Sequence, residues 1–124
     1  MKTAILILSD PKSGSEEAAG RVFNALATAH DLQQRQHTVS LLFLGTGTRW
    51  APLLTQKDHP FHELFTSVRN SVAGVSCACS EVFGAREDVE SAGHTLLTDN
   101  SLPGTSGLPS VAALLESGYQ ILTF

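Results

Sequence analysis

Charged residues are scarce in this chain of 124 residues. They make up 16% of the sequence, and the eight lysines and arginines are scattered, with a formal net charge of −4. Proteins that bind nucleic acid neutralise its phosphates with clustered basic side chains. We therefore expect no nucleic-acid partner. So few charges also make a buried interface between subunits plausible.

Long hydrophobic runs are missing as well. No segment approaches the roughly 18 apolar residues that a membrane-spanning helix requires. The early apolar run "TAILILS" breaks at Asp10-Pro11 without a small-residue cleavage site, which is not typical of a secretory signal. We therefore expect a cytoplasmic protein with no membrane partner, whose cysteines are reduced at rest.

Strand-like and helix-like segments alternate along the chain. Short apolar runs predict five strands, and stretches with helical spacing separate them. This alternation predicts a mostly parallel sheet with right-handed crossovers and helices on both faces. The length is most simply that of one domain, residues 1–124. The predicted strands are residues 3–9, 38–45, 71–77, 94–98 and 119–124.

Both cysteines lie in the stretch "VSCACSEVFGA", between the third predicted strand and a helix predicted over residues 80–91 and interrupted at Gly84. Ligands of parallel α/β sheets bind outside the carboxyl ends of the strands, and a helix N-terminus there stabilises a thiolate. Free cysteine is also among the most buried residue types. Cys77 and Cys79 are therefore either reactive thiols or core packing.

Two other uses of the cysteines are less well supported by the sequence. If both residues are extended, a disulfide between them lies at the edge of the allowed geometry and would be strained, which leaves a redox switch as a third possibility. A metal site would need further ligands, but no second cysteine pair exists and the histidines follow no zinc-site spacing. We expect no metal and no other cofactor.

The stretch "GTGTRW" follows the second predicted strand. Gly45 and Gly47 would let backbone N–H groups meet an anion beside the positive charge of Arg49. A tight turn needs the same glycines, and Trp50 would then simply pack. The sequence favours a loop here and through the polar stretch that ends at Asp58. In the first loop, "DPKSGS", either Ser13 or Ser15 is expected to cap the following helix.

Four segments together resemble the DsrE/DsrF-like family of small α/β proteins, which includes sulfur-relay subunits. They are "SDPKSGSEEAAGRVFNALATA", "VSLLFLGTGTRW", "VAGVSCACSEVFGA" and "YQILTF", which span nearly the whole chain. The resemblance implies a single three-layer domain with a five-stranded sheet and flavodoxin-like topology. It also implies a homo-oligomer, such as a trimer or hexamer, and a persulfide on a loop cysteine near a subunit interface.

The match to the family's cysteine pattern is partial. Related chains often show Cys-x-x-Cys before the glycine, and Cys79, five residues before Gly84, corresponds to the second cysteine. Ser76 stands where the first would fall, and Cys77 is one place on. The family's sulfur-carrying role therefore transfers to Cys79 more directly than to Cys77.

These observations lead to a sulfur-relay protein as the first functional prediction. A thiolate at Cys79 or Cys77 would accept persulfide sulfur from a donor protein and pass it to an acceptor. The predicted pocket walls are Asp10, Thr46, Arg49 and Trp50. The alternative is a non-catalytic oligomeric binding protein, in which the same loops hold a small anionic ligand or a partner and the cysteines only pack. Whether the chain is an enzyme stays open.

Overall fold

The computed structural model describes residues 1–124, the whole chain. Short 3-10 turns follow three of its elements, at Pro11–Ser13, Gly45–Arg49 and Arg69–Ser71. The helices and strands, in chain order, are β1 (Lys2–Ile7), α1 (Glu16–Gln34), β2 (Thr38–Phe43), α2 (Trp50–Thr55), α3 (His62–Val68), β3 (Val72–Ser76), α4 (Cys77–Val82), α5 (Arg86–Ser91), β4 (Leu96–Leu97), α6 (Val111–Glu116) and β5 (Gln120–Thr123).

All five strands pair in parallel, in the order β4-β3-β2-β1-β5. The predicted parallel sheet between helices is confirmed. The order places β1 between β2 and β5, whereas the flavodoxin order 2-1-3-4-5 places β1 between β2 and β3. The chain therefore crosses the sheet in one direction from β1 to β4 and returns to the opposite edge only for β5. The reversal of direction lies at β1.

The two faces of the sheet are covered unequally. Alternate residues of β1 point to opposite faces, so that Ile5 and Ile7 pack into one core and Ala4 and Leu6 into another. The first core holds 16 buried residues, drawn from the sheet and from α1, α2, α3 and the α5 region. The second has three buried residues, and α6 is its helical cover.

Two local predictions from the sequence differ from the structure, and one open choice is decided. Of the two candidate caps of α1, Ser15 and not Ser13 is the one used, because its side chain accepts the N–H of Ala18. The stretch expected to be a loop after Arg49 contains α2, since Trp50, Ala51 and Leu54 are buried in the larger core. The helix predicted to begin at residue 80 begins at Cys77 instead. No helix is long and apolar enough to span a membrane.

Candidate functional site

The segments after β1 and β2 meet at the carboxyl edge of the sheet. β1 and β2 pair in register up to Ile7 and Phe43, so the residues that follow them emerge side by side. Arg49 Nη1 lies 3.0 Å from Asp10 Oδ1 in a partly buried ion pair. Two of the predicted site residues are thus in direct contact across these segments.

Arg49 is also held by Phe83, the residue that directly follows α4. Its Nε donates to the carbonyl oxygen of Phe83 at 3.1 Å, and its guanidinium lies 5.7 Å from the centre of the Phe83 ring. Burial by itself would raise the pKa of Asp10, but the backbone N–H of Lys12 and the Arg49 guanidinium together hold that pKa below its ordinary value. Arg49 is therefore a positive charge in a fixed position.

Thr46 and Trp50 stabilise the same edge of the sheet, but neither side chain is hydrogen-bonded to Asp10 or Arg49. Thr46 Oγ1 donates to the carbonyl oxygen of Leu8 at 3.0 Å, which ties the turn after β2 to the end of β1. The Trp50 indole is 5% exposed, and its Nε1 donates to Ser9 Oγ at 3.1 Å. Trp50 therefore packs beneath this edge rather than presenting its ring to solvent.

The two cysteines occupy the first turn of α4. Ser76 is its N-cap and accepts the backbone N–H of Cys79 at 3.3 Å. Ser80 Oγ donates to the carbonyl oxygen of Cys77 at 2.6 Å. Both serines therefore bind the backbone of the cysteines and not their thiols. The Ser76 cap stabilises the start of the helix at Cys77, three residues before the predicted start.

The two thiols differ in exposure and in partners. Cys77 is 3% exposed, and its Sγ lies 3.8 Å from Glu81 Oε1, one helical turn away. Cys79 is half-buried, with no hydrogen bond to its sulfur. Glu81 in turn pairs with Arg86, whose pKa is raised by its hydrogen bonds to Glu90 and Glu81. Of the two cysteines, Cys79 is the more exposed.

Helical geometry separates the side chains of Cys77 and Cys79. Residues two apart in an α-helix differ by about 200° around its axis, so they project from nearly opposite sides. In a strand the same two residues would point the same way. The early start of α4 therefore removes the extended geometry on which a Cys77–Cys79 disulfide depended.

A distant loop also reaches the cysteine segment. Ala78, between the two cysteines, donates its N–H to the carbonyl oxygen of Gly107 at 2.8 Å. An antiparallel bridge between Asn100 and Leu108 holds the two ends of this loop together. Gly107 has φ +95, and an added Cβ there would meet the Thr98 carbonyl oxygen at 2.6 Å, so only glycine fits. The loop is thereby anchored beside α4.

A groove of about 600 Å³ lies between α2 and α5, and Arg49 is part of its lining. Of the six residues predicted for the site, only Arg49 lines it. Neither cysteine does. The lining residues are Pro11, Lys12, Arg49, Pro52, Leu53, Thr55, Gln56, Gly84, Ala85, Asp88, Ser91 and Ala92.

Comparison with known proteins agrees with this architecture. The family model described as "DsrE/DsrF-like family" matches residues 1–124. The chain belongs to the DsrE/DsrF-like family. No curated protein and no solved structure matches it significantly. The resemblance drawn from the sequence is thus confirmed, and the DsrE/DsrF-like family points to a function of the sulfur-relay type.

Reasoning from the sequence of this DsrE/DsrF-like protein missed several residues of the site. Glu81 carries a signal, because it lies four residues after Cys77 on a helical stretch. The pair of Glu81 with Arg86 carries none, since it spans the break between α4 and α5. The Phe83 carbonyl and the Gly107 carbonyl carry none, since backbone acceptors have no side-chain signature. Their contacts depend on how α4 sits against the neighbouring segments.

Proposed function

We propose that this chain carries sulfur as a persulfide on Cys79. The observation that supports this choice is the difference between the thiols at the end of β3, since Cys79 is half-buried and Cys77 is 3% exposed. A carrier thiol has to reach a sulfur on another molecule, which requires access. Membership of the DsrE/DsrF-like family supports the class of chemistry.

The transfer consists of two exchange steps at the same sulfur atom. The Cys79 thiolate, having released its proton to solvent, attacks the outer sulfur of a donor persulfide. A new S–S bond forms at Cys79, the donor's S–S bond breaks, and the donor leaves as a thiolate. An acceptor thiolate then attacks the outer sulfur on Cys79, which leaves as a thiolate again. The sulfur atom moves without any external oxidant or reductant.

The surroundings of Cys79 suit a carrier that is held in place. The Ser76 cap fixes its backbone, and the Gly107 carbonyl binds the neighbouring N–H of Ala78. Arg49 is the one positive charge among the predicted walls, and the Phe83 carbonyl ties it to the end of α4. Asp10 positions Arg49, and Thr46 fixes the turn that carries it. Trp50 supports this edge from below.

The test is mass spectrometry of the reduced protein after exposure to cysteine persulfide, on the wild type, Cys77→Ser and Cys79→Ser. We expect the wild type and Cys77→Ser to retain one added sulfur atom and Cys79→Ser to retain none. Alkylation with iodoacetamide, followed over time, should label Cys79 several-fold faster than Cys77, because Cys77 is buried.

Two results would contradict the proposal. Added sulfur that is lost in Cys77→Ser but kept in Cys79→Ser would make Cys77 the carrier. Added sulfur on none of the three proteins, with slow alkylation of both thiols, would favour the alternative of a binding protein whose cysteines only pack. Circular dichroism of both variants controls for loss of fold.

We also propose that the chain assembles with copies of itself through the face covered by α6. This face has only three buried core residues, and Leu114 and Ile121 are partly exposed around them. Leu115 on α6 is 57% exposed. A sheet face with so thin a cover is typical of one that is completed by another subunit. Pairing with a second copy would complete the cover of this core.

Sedimentation velocity tests the proposed assembly. Leu115→Glu should shift the protein toward the monomer, because it places a charge in the apolar contact. Phe23→Glu is the matched control: Phe23 is also exposed, at 45%, but lies on α1, over the opposite face. A wild type that sediments as a monomer, or equal effects of both substitutions, would overturn the proposal.

A further inference from the structure

The groove between α2 and α5 is separate from the cysteines. Its lining residues on the α2 side, Arg49, Pro52, Leu53 and Gln56, recur at helical spacing, as do Ala85, Asp88, Ser91 and Ala92 on the α5 side. Each set therefore follows one face of its helix and of the residues that flank the helix, and the groove runs along both helices. Its volume of about 600 Å³ lies within the range of small-molecule sites.

The charged side chains in this groove are arranged by sign. Lys12 and Arg49 lie near each other, because Asp10 Oδ1 accepts both the Lys12 backbone N–H and Arg49 Nη1, and the Phe83 carbonyl also fixes the guanidinium. Those contacts use Nε and Nη1, and the Nη2 group makes no hydrogen bond within the protein. The ammonium of Lys12 makes none either. A carboxylate is one group that a guanidinium and an ammonium bind together.

Asp88 supplies the opposite charge in the same groove. Its carboxylate takes part in no ion pair or side-chain hydrogen bond. It is therefore beyond ion-pairing distance of Arg49 and Lys12, although all three residues line the groove. Pro52, Leu53 and Ala85 add apolar surface to the lining. The groove thus presents separated positive and negative charges together with apolar surface.

We propose that this groove binds a zwitterion the size of a dipeptide. Its carboxylate lies against Arg49 and Lys12, its ammonium against Asp88, and its side chains on Pro52 and Leu53. The Asp88 carboxylate is beyond ion-pairing distance of Arg49 and Lys12, and each extended residue adds about 3.5 Å between the termini of a peptide, so two residues keep the ligand's charges apart. The termini of a free α-amino acid are closer together. This site is independent of sulfur transfer at Cys79.

NMR titration of the ¹⁵N-labelled full chain tests the proposal, with dialanine as the probe. We expect chemical-shift changes concentrated in the amides of α2 and α5. Alanine, N-acetyl-dialanine and dialanine amide should each bind about fivefold more weakly, since each loses or misplaces one ionic contact in a partly exposed site.

Two exposed side chains supply the variants. Asp88→Asn should weaken dialanine about fivefold and remove the difference between dialanine and its N-acetyl form. Lys12→Gln should reduce the difference between dialanine and its amide. Glu87→Gln is the matched control, because Glu87 is an exposed carboxylate next to Asp88 that does not line the groove. It should leave dialanine binding unchanged.

Three outcomes would overturn the proposal. The first is no shift in α2 and α5 at millimolar dialanine. The second is equal binding of dialanine and any of the three comparison probes. The third is an effect of Glu87→Gln as large as that of Asp88→Asn, which would indicate attraction by net charge alone. None of these outcomes bears on whether Cys79 carries sulfur.

Discussion

Arg49 Nη1 lies 3.0 Å from Asp10 Oδ1, and this pair joins the segment after β1 to the turn after β2. The side chains of Arg49 and Asp10 are 20% and 31% exposed, so water screens their attraction only in part. The Phe83 carbonyl adds a third segment to the same guanidinium. One arginine thus connects three of the segments that leave the carboxyl edge of the sheet.

Loss of this ion pair should measurably destabilise the fold. We expect Asp10→Asn to lower the free energy of unfolding by about 1 kcal/mol at pH 7, at the upper end for partly exposed pairs. The pKa of Asp10 is lowered in the folded protein, so its contribution is present above about pH 3.8 and is lost as the pH falls through the folded value. Urea unfolding at pH 7 and pH 3 measures both effects.

Glu17→Gln is the control for the loss of a carboxylate. It removes the exposed pair of Glu17 with Arg21 on α1 and should cost only about 0.3 kcal/mol. If Asp10→Asn costs no more than Glu17→Gln, the Asp10–Arg49 pair does not hold the segments together.

Gly47 marks the closest approach of the turn after β2 to β1. A Cβ at this position would collide with the carbonyl oxygen of Ile7, which is backbone and cannot move aside. We expect Gly47→Ala to lower the free energy of unfolding by about 3 kcal/mol. Gly20→Ala in α1 is the opposite case, because nothing lies within 4 Å of the added Cβ, and it should stabilise by about 1 kcal/mol. Thermal unfolding of both variants would show whether the signs differ as expected.

The Ser76 cap links the stability of α4 to the accessibility of the thiols. Ser76→Ala removes the acceptor of the Cys79 N–H and should cost about 1 kcal/mol. Fraying of the first turn should also speed alkylation of the buried Cys77. Ser110→Ala removes the equivalent cap of α6 and should cost a similar amount without changing the alkylation rate. Equal alkylation rates in the two variants would disprove the link.

His94 should make the fold sensitive to mild acid. Its Nε2 lies 3.1 Å from the Ala51 carbonyl and 2.8 Å from Thr55 Oγ1, both on α2. Burial lowers the pKa of His94, more than the Ala51 carbonyl raises it, so the folded protein resists a proton that the unfolded chain accepts. The free energy of unfolding should therefore be constant above about pH 6.5 and fall as the pH decreases below it.

His94→Gln should reduce this pH dependence between pH 5 and pH 7, as measured by urea unfolding. His59 contributes in the same direction, because burial lowers its pKa too, so some dependence should remain. Gly20→Ala, which changes no titratable group, is the control and should leave the slope unchanged. An unchanged slope in His94→Gln would mean that His94 is not the group that titrates.

Some parts of the candidate site could be predicted from the sequence because they follow from local pattern. The apolar run of β3 ends where the cysteines begin, and Gly84, with φ +70, interrupts the helical stretch as expected. The sequence named both Arg49 and Asp10 as pocket walls, but it did not predict their contact, because 39 residues separate them in the chain. Their meeting required β1 and β2 to be neighbours in the sheet, which the sequence did not specify.

The start of α4 shows a limit of local reasoning. The sequence predicted a helix from residue 80, whereas α4 begins at Cys77, and this difference decides whether Cys77 and Cys79 point the same way or apart. Burial of Ser76, Cys77 and Ala78 against the rest of the chain favours the earlier start. Packing, rather than propensity, thus sets the relation between the two thiols.

The sequence by itself determined the strands, the alternation with helices and the place of the cysteines after β3, since hydrophobic periodicity and glycine positions act within short stretches. Only the tertiary structure decided the strand order, the greater exposure of Cys79 and the groove between α2 and α5. These features depend on contacts between residues far apart in the chain, such as Arg49 with Phe83 and Ala78 with Gly107. Such contacts form only when the elements pack together, so no single segment encodes them.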